Sequence, residues 1–291
     1  MKKIIGLLLV LLMVGAVLAA CGKTEQKKTD DKPAATEAAA TVDSATADSA
    51  TADSAATVAD LDKVQKAGKL IVGITDFEPM DYQKDGKWIG FDADMATKFA
   101  ESLGVKVEFV EIDWDNKALE LKGGSIDCVW NGMTLTPEVT SAMSCTNAYL
   151  NNAQVVVVNK NVADKYADAE SCKTLSFAVE SGSAGQEQAT ANGFKFTEVK
   201  DQATALMEVA SGTCDAAIID SLMASAMVGE GTGYEQLTYT VALNSEEYGV
   251  GFRQGSDLTA KCNEFLAAAK ADGTLKTTAE QYKVQTALIE G

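Results

Sequence analysis

The chain is 291 residues long, carries a formal net charge of −17, and has no histidine and a single arginine, Arg253. So acidic a balance argues against a nucleic-acid partner, which needs basic patches to meet phosphates. The lack of histidine removes the commonest general base and metal ligand, and no cysteines stand at zinc-knuckle spacing, so neither a metal nor a cofactor is expected.

Lys2 and Lys3 precede an apolar run over residues 4–18 that is short for a membrane span and reads as an export signal, residues 1–20. It closes on Leu18-Ala19-Ala20-Cys21, which resembles the bacterial lipobox. Cleavage there would leave Cys21 carrying lipid, and two or more acyl chains hold a protein stably at a membrane where one is marginal. Residues 21–58 are dominated by Ala, Thr, Ser and Asp, with a pentad recurring from Asp43, Asp48 and Asp53. Such a segment buries too little apolar surface to offset the entropy of ordering and reads as a disordered tether.

From residue 59 the pattern is that of a folded α/β protein. Leu61, Val64 and Gly68 predict a short helix closed by glycine, and residues 69–75 a buried strand. Asp85-Gly86 predicts a tight turn. Met95, Ala96, Phe99, Ala100 and Leu103 share one helical face, with Asp92 and Asp94 where an N-cap and first-turn acids belong. Residues 105–111 alternate as a strand, 117–121 predict a short helix, and 126–130 a strand.

The alternation then restarts: strand 174–179, helix 182–191, strand 195–199, helix 203–210, strand 214–220. Residues 247–253 predict a further strand, and 258–271 a helix. Two β-α-β-α-β runs without shared sequence imply two lobes, each a doubly wound sheet. In such sheets ligands sit at the carboxyl ends of strands, which selects the loops 76–80, 130–139, 180–186 and 220–223.

Four segments, GITDFEPMDY (73–82), WIGFDADMATKFAESLG (88–104), IDCVWNGMTLTPE (126–138) and EEYGVGFRQGSDL (246–258), together resemble the amino-acid-type extracellular solute-binding proteins, family 3, that serve ABC importers. The resemblance spans about residues 66–280. It implies two doubly wound α/β lobes joined by two hinge strands, a type II periplasmic-binding-protein-like fold. Residues 59–150 with 250–291 would form lobe 1, and 151–249 lobe 2. It further implies a monomer without catalytic activity, held at the extracytoplasmic face of the bacterial cell membrane through Cys21. Such a protein captures an amino acid or related small amine-bearing solute and hands it to ABC permease subunits.

Residue by residue, the resemblance assigns Phe77 to packing on the ligand side chain and Asp76 to an acid near it. Asn131, Gly132 and Thr134 would line lobe 1, with Trp130 at the same edge. Gly182, Ser183 and Ala184 would offer helix-start amides to a carboxylate, and Asp220 would pair with the ligand ammonium. Cys172 and Cys214, before two strands expected to be neighbours, form a candidate disulfide.

One position departs from the pattern. After Thr136-Pro137-Glu138 the family normally has an arginine that grips the ligand carboxylate, and here it is Val139. An arginine fork gives two charge-assisted bonds that valine cannot replace, and Arg253 sits in a structural stretch of the family. Three readings stay open. Helix-start amides and Thr134 hold the carboxylate alone, a lysine from a distant loop stands in, or the ligand is a cation without a carboxylate. A cleft enzyme of the same fold, dehydratase-like, with acids in the cleft as proton donors, is the alternative from another class.

Overall fold

The computed structural model describes residues 59–290, so the export segment 1–20, the linker 21–58 and Cys21 lie outside the described residues. Two five-stranded sheets organise the remainder. In the first, Lys69–Ile74 pairs in parallel with Lys106–Glu111 on one side and Cys128–Val129 on the other. Gly251–Phe252 then runs antiparallel between Cys128–Val129 and Ser144–Cys145. In the second, Ser176–Glu180 is parallel to Lys195–Val199 and to Ala216–Asp220. Gln154–Asn159 runs antiparallel between Ala216–Asp220 and Leu237–Ala242.

In both sheets the first strand of the parallel run sits between the second and the third, so each lobe has the winding switch that opens a crevice at strand carboxyl ends. The chain leaves the first sheet through Leu150–Asn152 and returns through Glu246–Tyr248, and these two segments pair antiparallel as a double crossing.

Local chemistry accounts for most of the elements. Helix Asp60–Ala67 ends on Gly68 in the left-handed conformation (φ 68°), which glycine adopts without a Cβ clash. Asp85 and Gly86 (φ 53° and 72°) join Tyr82–Lys84 to Lys87–Ile89, as a two-residue hairpin turn requires. Helix Phe91–Ser102 buries Phe91, Met95, Ala96, Phe99 and Ala100 on one face. Its N-cap, however, is Gly90 rather than Asp92. Gly90 has φ 134°, and a Cβ there would collide with the Met80 carbonyl. Asp92 points inward instead and accepts hydrogen bonds from the Gly132 N–H (2.6 Å) and the Tyr149 hydroxyl (2.8 Å).

The second sheet separates two apolar cores. Val155, Val157, Ala178, Ala217 and Ile219 face one, and Val156, Val158, Phe177, Ala216 and Ile218 face the other, following the two-residue period of strands. Cys214 belongs to the first core and Cys172 to the second. The expected Cys172–Cys214 disulfide is therefore overturned: the two thiols lie against opposite faces of the sheet, and both are free. Cys172 also ends the short helix Ala169–Cys172 rather than opening a strand.

Candidate functional site

A cleft enclosing about 690 Å³ of space, part of it open to solvent, lies where the carboxyl ends of both parallel runs meet. On the first lobe Phe77 follows strand Lys69–Ile74, Trp114 and Lys117 follow Lys106–Glu111, and Gly132 and Thr134 follow Cys128–Val129. On the second lobe Glu180 and Asp220 are the last residues of their strands, and Gly182, Ser183 and Ala184 lead into helix Ala184–Asn192.

Gly132 has φ 54°, and a Cβ there would collide with the Phe77 ring, so glycine lets that ring lie over the strand end. Phe77 in turn packs edge-on against Tyr248 at 6.4 Å between ring centroids. Asn131 borders the cleft but its side chain is fully engaged. Its Oδ1 accepts from the Thr75 N–H (2.9 Å) and hydroxyl (2.8 Å), and its Nδ2 donates to the Thr75 carbonyl (3.1 Å) and to Asp81 (2.7 Å). The Thr134 hydroxyl donates to Glu246 Oε1 at 3.0 Å.

Ser183 caps the helix, its Oγ accepting from the Gln186 N–H at 3.1 Å. The next amides, of Ala184 and Gly185, have no acceptor within the helix and carry the positive end of its dipole. Of the two residues Ala184 lines the cleft, and this helix start is the part of the wall suited to an anion.

Asp220 is held by neutral donors. Its Oδ1 accepts from Gln154 Nε2 (2.9 Å), Tyr248 Oη (2.7 Å) and Asn152 Nδ2, and its Oδ2 accepts from Gln202 Nε2. Oδ2 thus keeps one acceptor position. Burial first, and then the negative charge of Glu246, push the Asp220 carboxyl up to about 8, against the pull of the Tyr248 and Gln202 hydrogen bonds. Burial and neighbouring Asp220 likewise push Glu180 up to about 8.

Lys117 is the lysine on the cleft wall. Its Nζ donates to the carbonyls of Gly182 (2.8 Å) and Trp114 (3.2 Å) and lies 4.8 Å from the centre of the Trp114 ring. Burial lowers its pKa, with Glu180, Glu138, Asp115 and Glu187 acting in the opposite direction. Val139 lines the same cleft from helix Pro137–Ala142, with its N–H on the Thr136 hydroxyl at 3.2 Å. Arg253 is remote: it binds Asp60 and Asp127 at 2.9 and 3.0 Å.

Of the residues expected at the site, Phe77, Asn131, Gly132, Thr134, Val139, Gly182, Ser183, Ala184 and Asp220 lie on the cleft wall. Trp130 and Asp76 do not. Trp130 is wholly buried, its ring 6.1 Å from that of Phe99 and 6.4 Å from that of Tyr149, because its side chain takes the core side of the strand end. Asp76 is exposed, its carboxyl raised by partial burial and by Asp201. Sequence reasoning missed Trp114, Lys117 and Gln202. Trp114 and Gln202 each follow the carboxyl end of a strand, so the rule that selected the other loops also reaches them. Lys117 lies on the same connection, one turn further on, where the short helix Lys117–Gly123 begins.

The model of the bacterial extracellular solute-binding proteins, family 3, matches residues 70–285. The arginine-binding extracellular protein ArtP of Bacillus subtilis is 27% identical over 221 residues, 74% of this chain and 86% of that protein. A probable amino-acid ABC transporter-binding protein of Haemophilus influenzae is 31% identical over 74% of this chain and 84% of its own length. Among solved structures, the ancestral amino acid-binding protein AncCDT-1, described as a precursor of cyclohexadienyl dehydratase, is 32% identical with a TM-score of 0.70. That match covers 77% of this chain and 99% of the other.

Proposed function

Because the chain belongs to the bacterial extracellular solute-binding proteins of family 3, we propose that it captures an amino acid or related amine-bearing solute between its lobes for an ABC importer. The observation that carries this reading is Asp220, a buried acid at a strand end with an acceptor position left on Oδ2, which lines the same cavity as Ala184, the first residue of a helix whose opening amides have no partner within it. An ammonium on the former and an anion on the latter are complementary to an amino acid, and Phe77 and Trp114 give its side chain aromatic surface. Relatives named for amino-acid and arginine binding support the class of ligand.

In this reading residues 59–150 with 250–291 close against 151–249 about the paired crossings Leu150–Asn152 and Glu246–Tyr248. Residues 1–20 direct export, Cys21 carries the lipid, and 21–58 tether the lobes outside the cell membrane. The cleft binds and releases and has no catalytic role. A thermal-shift screen of the purified protein against amino acids, amines, betaines and short peptides tests the proposal. A ligand at 100 times its dissociation constant contributes about 2.7 kcal/mol, a readable shift. If only unrelated solutes such as sugars raise the melting temperature, the reading is wrong.

A further inference from the structure

Glu180 is a second buried acid on the cleft wall, and the arrangement around Asp220 does not use it. It is 3% exposed, lines the cavity, and closes strand Ser176–Glu180. One carboxyl oxygen, Oε2, lies 3.5 Å from Gln202 Nε2, the amide that also donates to Asp220. The other, Oε1, is buried and receives no hydrogen bond. Buried polar atoms without partners are rare enough to require an explanation.

Two internal explanations fail. Lys117 stands across the cleft, but its Nζ is turned to two backbone carbonyls, and among the described residues no cation lies within ion-pair distance of Glu180. Nor does a donor on its own lobe satisfy it: Gln202 Nε2 spends its two hydrogens on Asp220 Oδ2 and, at 3.5 Å, on Glu180 Oε2, and Oε1 is left without one. The charged groups that face Glu180 are Asp220 and Asp201 from its own lobe and Lys117 from the other. Glu246 adds negative charge beside Asp220, while Glu138, Asp115 and Glu187 surround Lys117.

Building on the solute-binding reading above, we propose that Glu180 is a specificity-determining acid of the solute site. Together with Asp220 it selects a solute of net positive charge rather than a neutral zwitterion. The reasoning is one of charge and donors. A zwitterion brings one ammonium, which Asp220 satisfies, and leaves Glu180 either buried as an unpaired anion or protonated and without a role. A solute with an additional cationic, N–H-bearing group supplies the missing donor and neutralises the second acid. Val139 removes the fixed positive charge that would otherwise offset one of them. Basic amino acids and decarboxylated amines share this chemistry.

Titration calorimetry with the full chain, using L-arginine, agmatine and L-citrulline as probes, separates the outcomes. Citrulline keeps the shape of arginine without its charge, and agmatine keeps the cation without the carboxylate. The expected result is a preference of tenfold or more for at least one of the cations over citrulline, reduced about tenfold or more by Glu180→Gln. Citrulline binding should change less than about threefold. In wild-type protein, cation affinity should rise between pH 6 and pH 8 and level off above, as Glu180 and Asp220, both raised to about 8 by burial and by neighbouring negative charge, give up protons on binding, and Glu180→Gln should flatten that rise. Calorimetry in buffers of different ionisation enthalpy should show that proton release in wild type and a smaller one in Glu180→Gln. Citrulline bound as tightly as arginine, or a preference that Glu180→Gln leaves intact, overturns the role of Glu180 and leaves the solute-binding reading standing. No binding of any of the three, with binding only of solutes lacking an amine, overturns both.

Discussion

Lys117 and Gly182 touch across the cleft, the lysine Nζ donating to the glycine carbonyl at 2.8 Å. The contact joins the segment after strand Lys106–Glu111 to the loop that starts helix Ala184–Asn192, so it exists only while the lobes are together. Gly182 also packs closely there: a Cβ would sit 2.5 Å from Asp115 Cα, at φ 69°. Gly182→Ala should hold the lobes apart and weaken solute binding by tenfold or more. Lys117→Met should weaken it by roughly 10–100-fold, the equivalent of ~1.5–3 kcal/mol for a hydrogen bond from a charged group. Calorimetry gives the affinities, and solution scattering should show a larger radius of gyration for the solute-free Gly182→Ala protein. An unchanged radius and affinity would mean that this contact is not part of closure.

Glu180 makes the stability of the solute-free protein depend on pH in an unusual direction. Its carboxyl titrates near 4.5 when unfolded and at about 8 when folded. Between those values the folded state binds the extra proton, so stability falls as pH rises through the window, and the loss is complete above about pH 8. Glu180→Gln, which needs no proton to be neutral, should therefore be more stable than wild type by ~1–3 kcal/mol at pH 8, with the difference vanishing near pH 4. Urea unfolding at pH 4, 6 and 8 checks this. A constant difference across the three pH values would show that Glu180 is ionised in the folded protein throughout.

Arg253 offers a control for what the cleft does not need. Its Nε and Nη2 bind the buried carboxylate of Asp60, Nη2 also binds Asp127, and Nη1 donates to the carbonyls of Leu121 and Ile126. Removing one partner of a buried ion pair costs about 3–5 kcal/mol, because the charges left behind lose their counterion. Arg253→Ala should lower the denaturant midpoint accordingly. Arg253→Lys should recover only part of the loss, since an ammonium cannot reproduce the fork. Both variants should keep the order of solute preferences. A change in that order would place Arg253 in communication with the cleft.

The strands and helices between 69 and 130 and between 174 and 220 were legible because each announces itself locally through alternation, a 3.6-residue face or a glycine stop. Strand Gln154–Asn159 lacks the alternation that marks the others: its valines 155–158 form the unbroken apolar run of a strand buried on both faces. The second helix after Gly273, Thr274–Gln281, was hidden by the same glycine that marks the end of its predecessor. Side-chain direction was the harder limit at the site. Trp130 and Asn131 are neighbours at a strand end, yet the ring enters the core while the amide spends its four bonds on Thr75 and Asp81. Cys172 and Cys214 failed for a related reason: adjacency of strands says nothing about which face of the sheet a thiol meets.

Val139 is where a substitution should restore what the cleft lacks. It lines the cavity on helix Pro137–Ala142 and belongs to the apolar cluster with Met133 and Met143. A guanidinium carried from this position into the cavity would meet Glu138 or Glu180 in the solute-free protein and a carboxylate when a zwitterion is bound. Val139→Arg should therefore raise affinity for neutral α-amino acids by roughly 10–100-fold, the yield of one charged hydrogen-bond pair at ~1.5–3 kcal/mol. It should weaken binding of amines that lack a carboxylate, because the added positive charge repels them. Packing a longer side chain beside Met133 and Met143 costs about 1–3 kcal/mol, so a lower melting temperature of the solute-free variant is part of the expectation. Calorimetry with L-glutamine and L-arginine against their decarboxylated counterparts separates the two effects. If no carboxylate-bearing solute gains, the cleft does not present position 139 to the ligand, and the absence of arginine there has no bearing on what the protein binds.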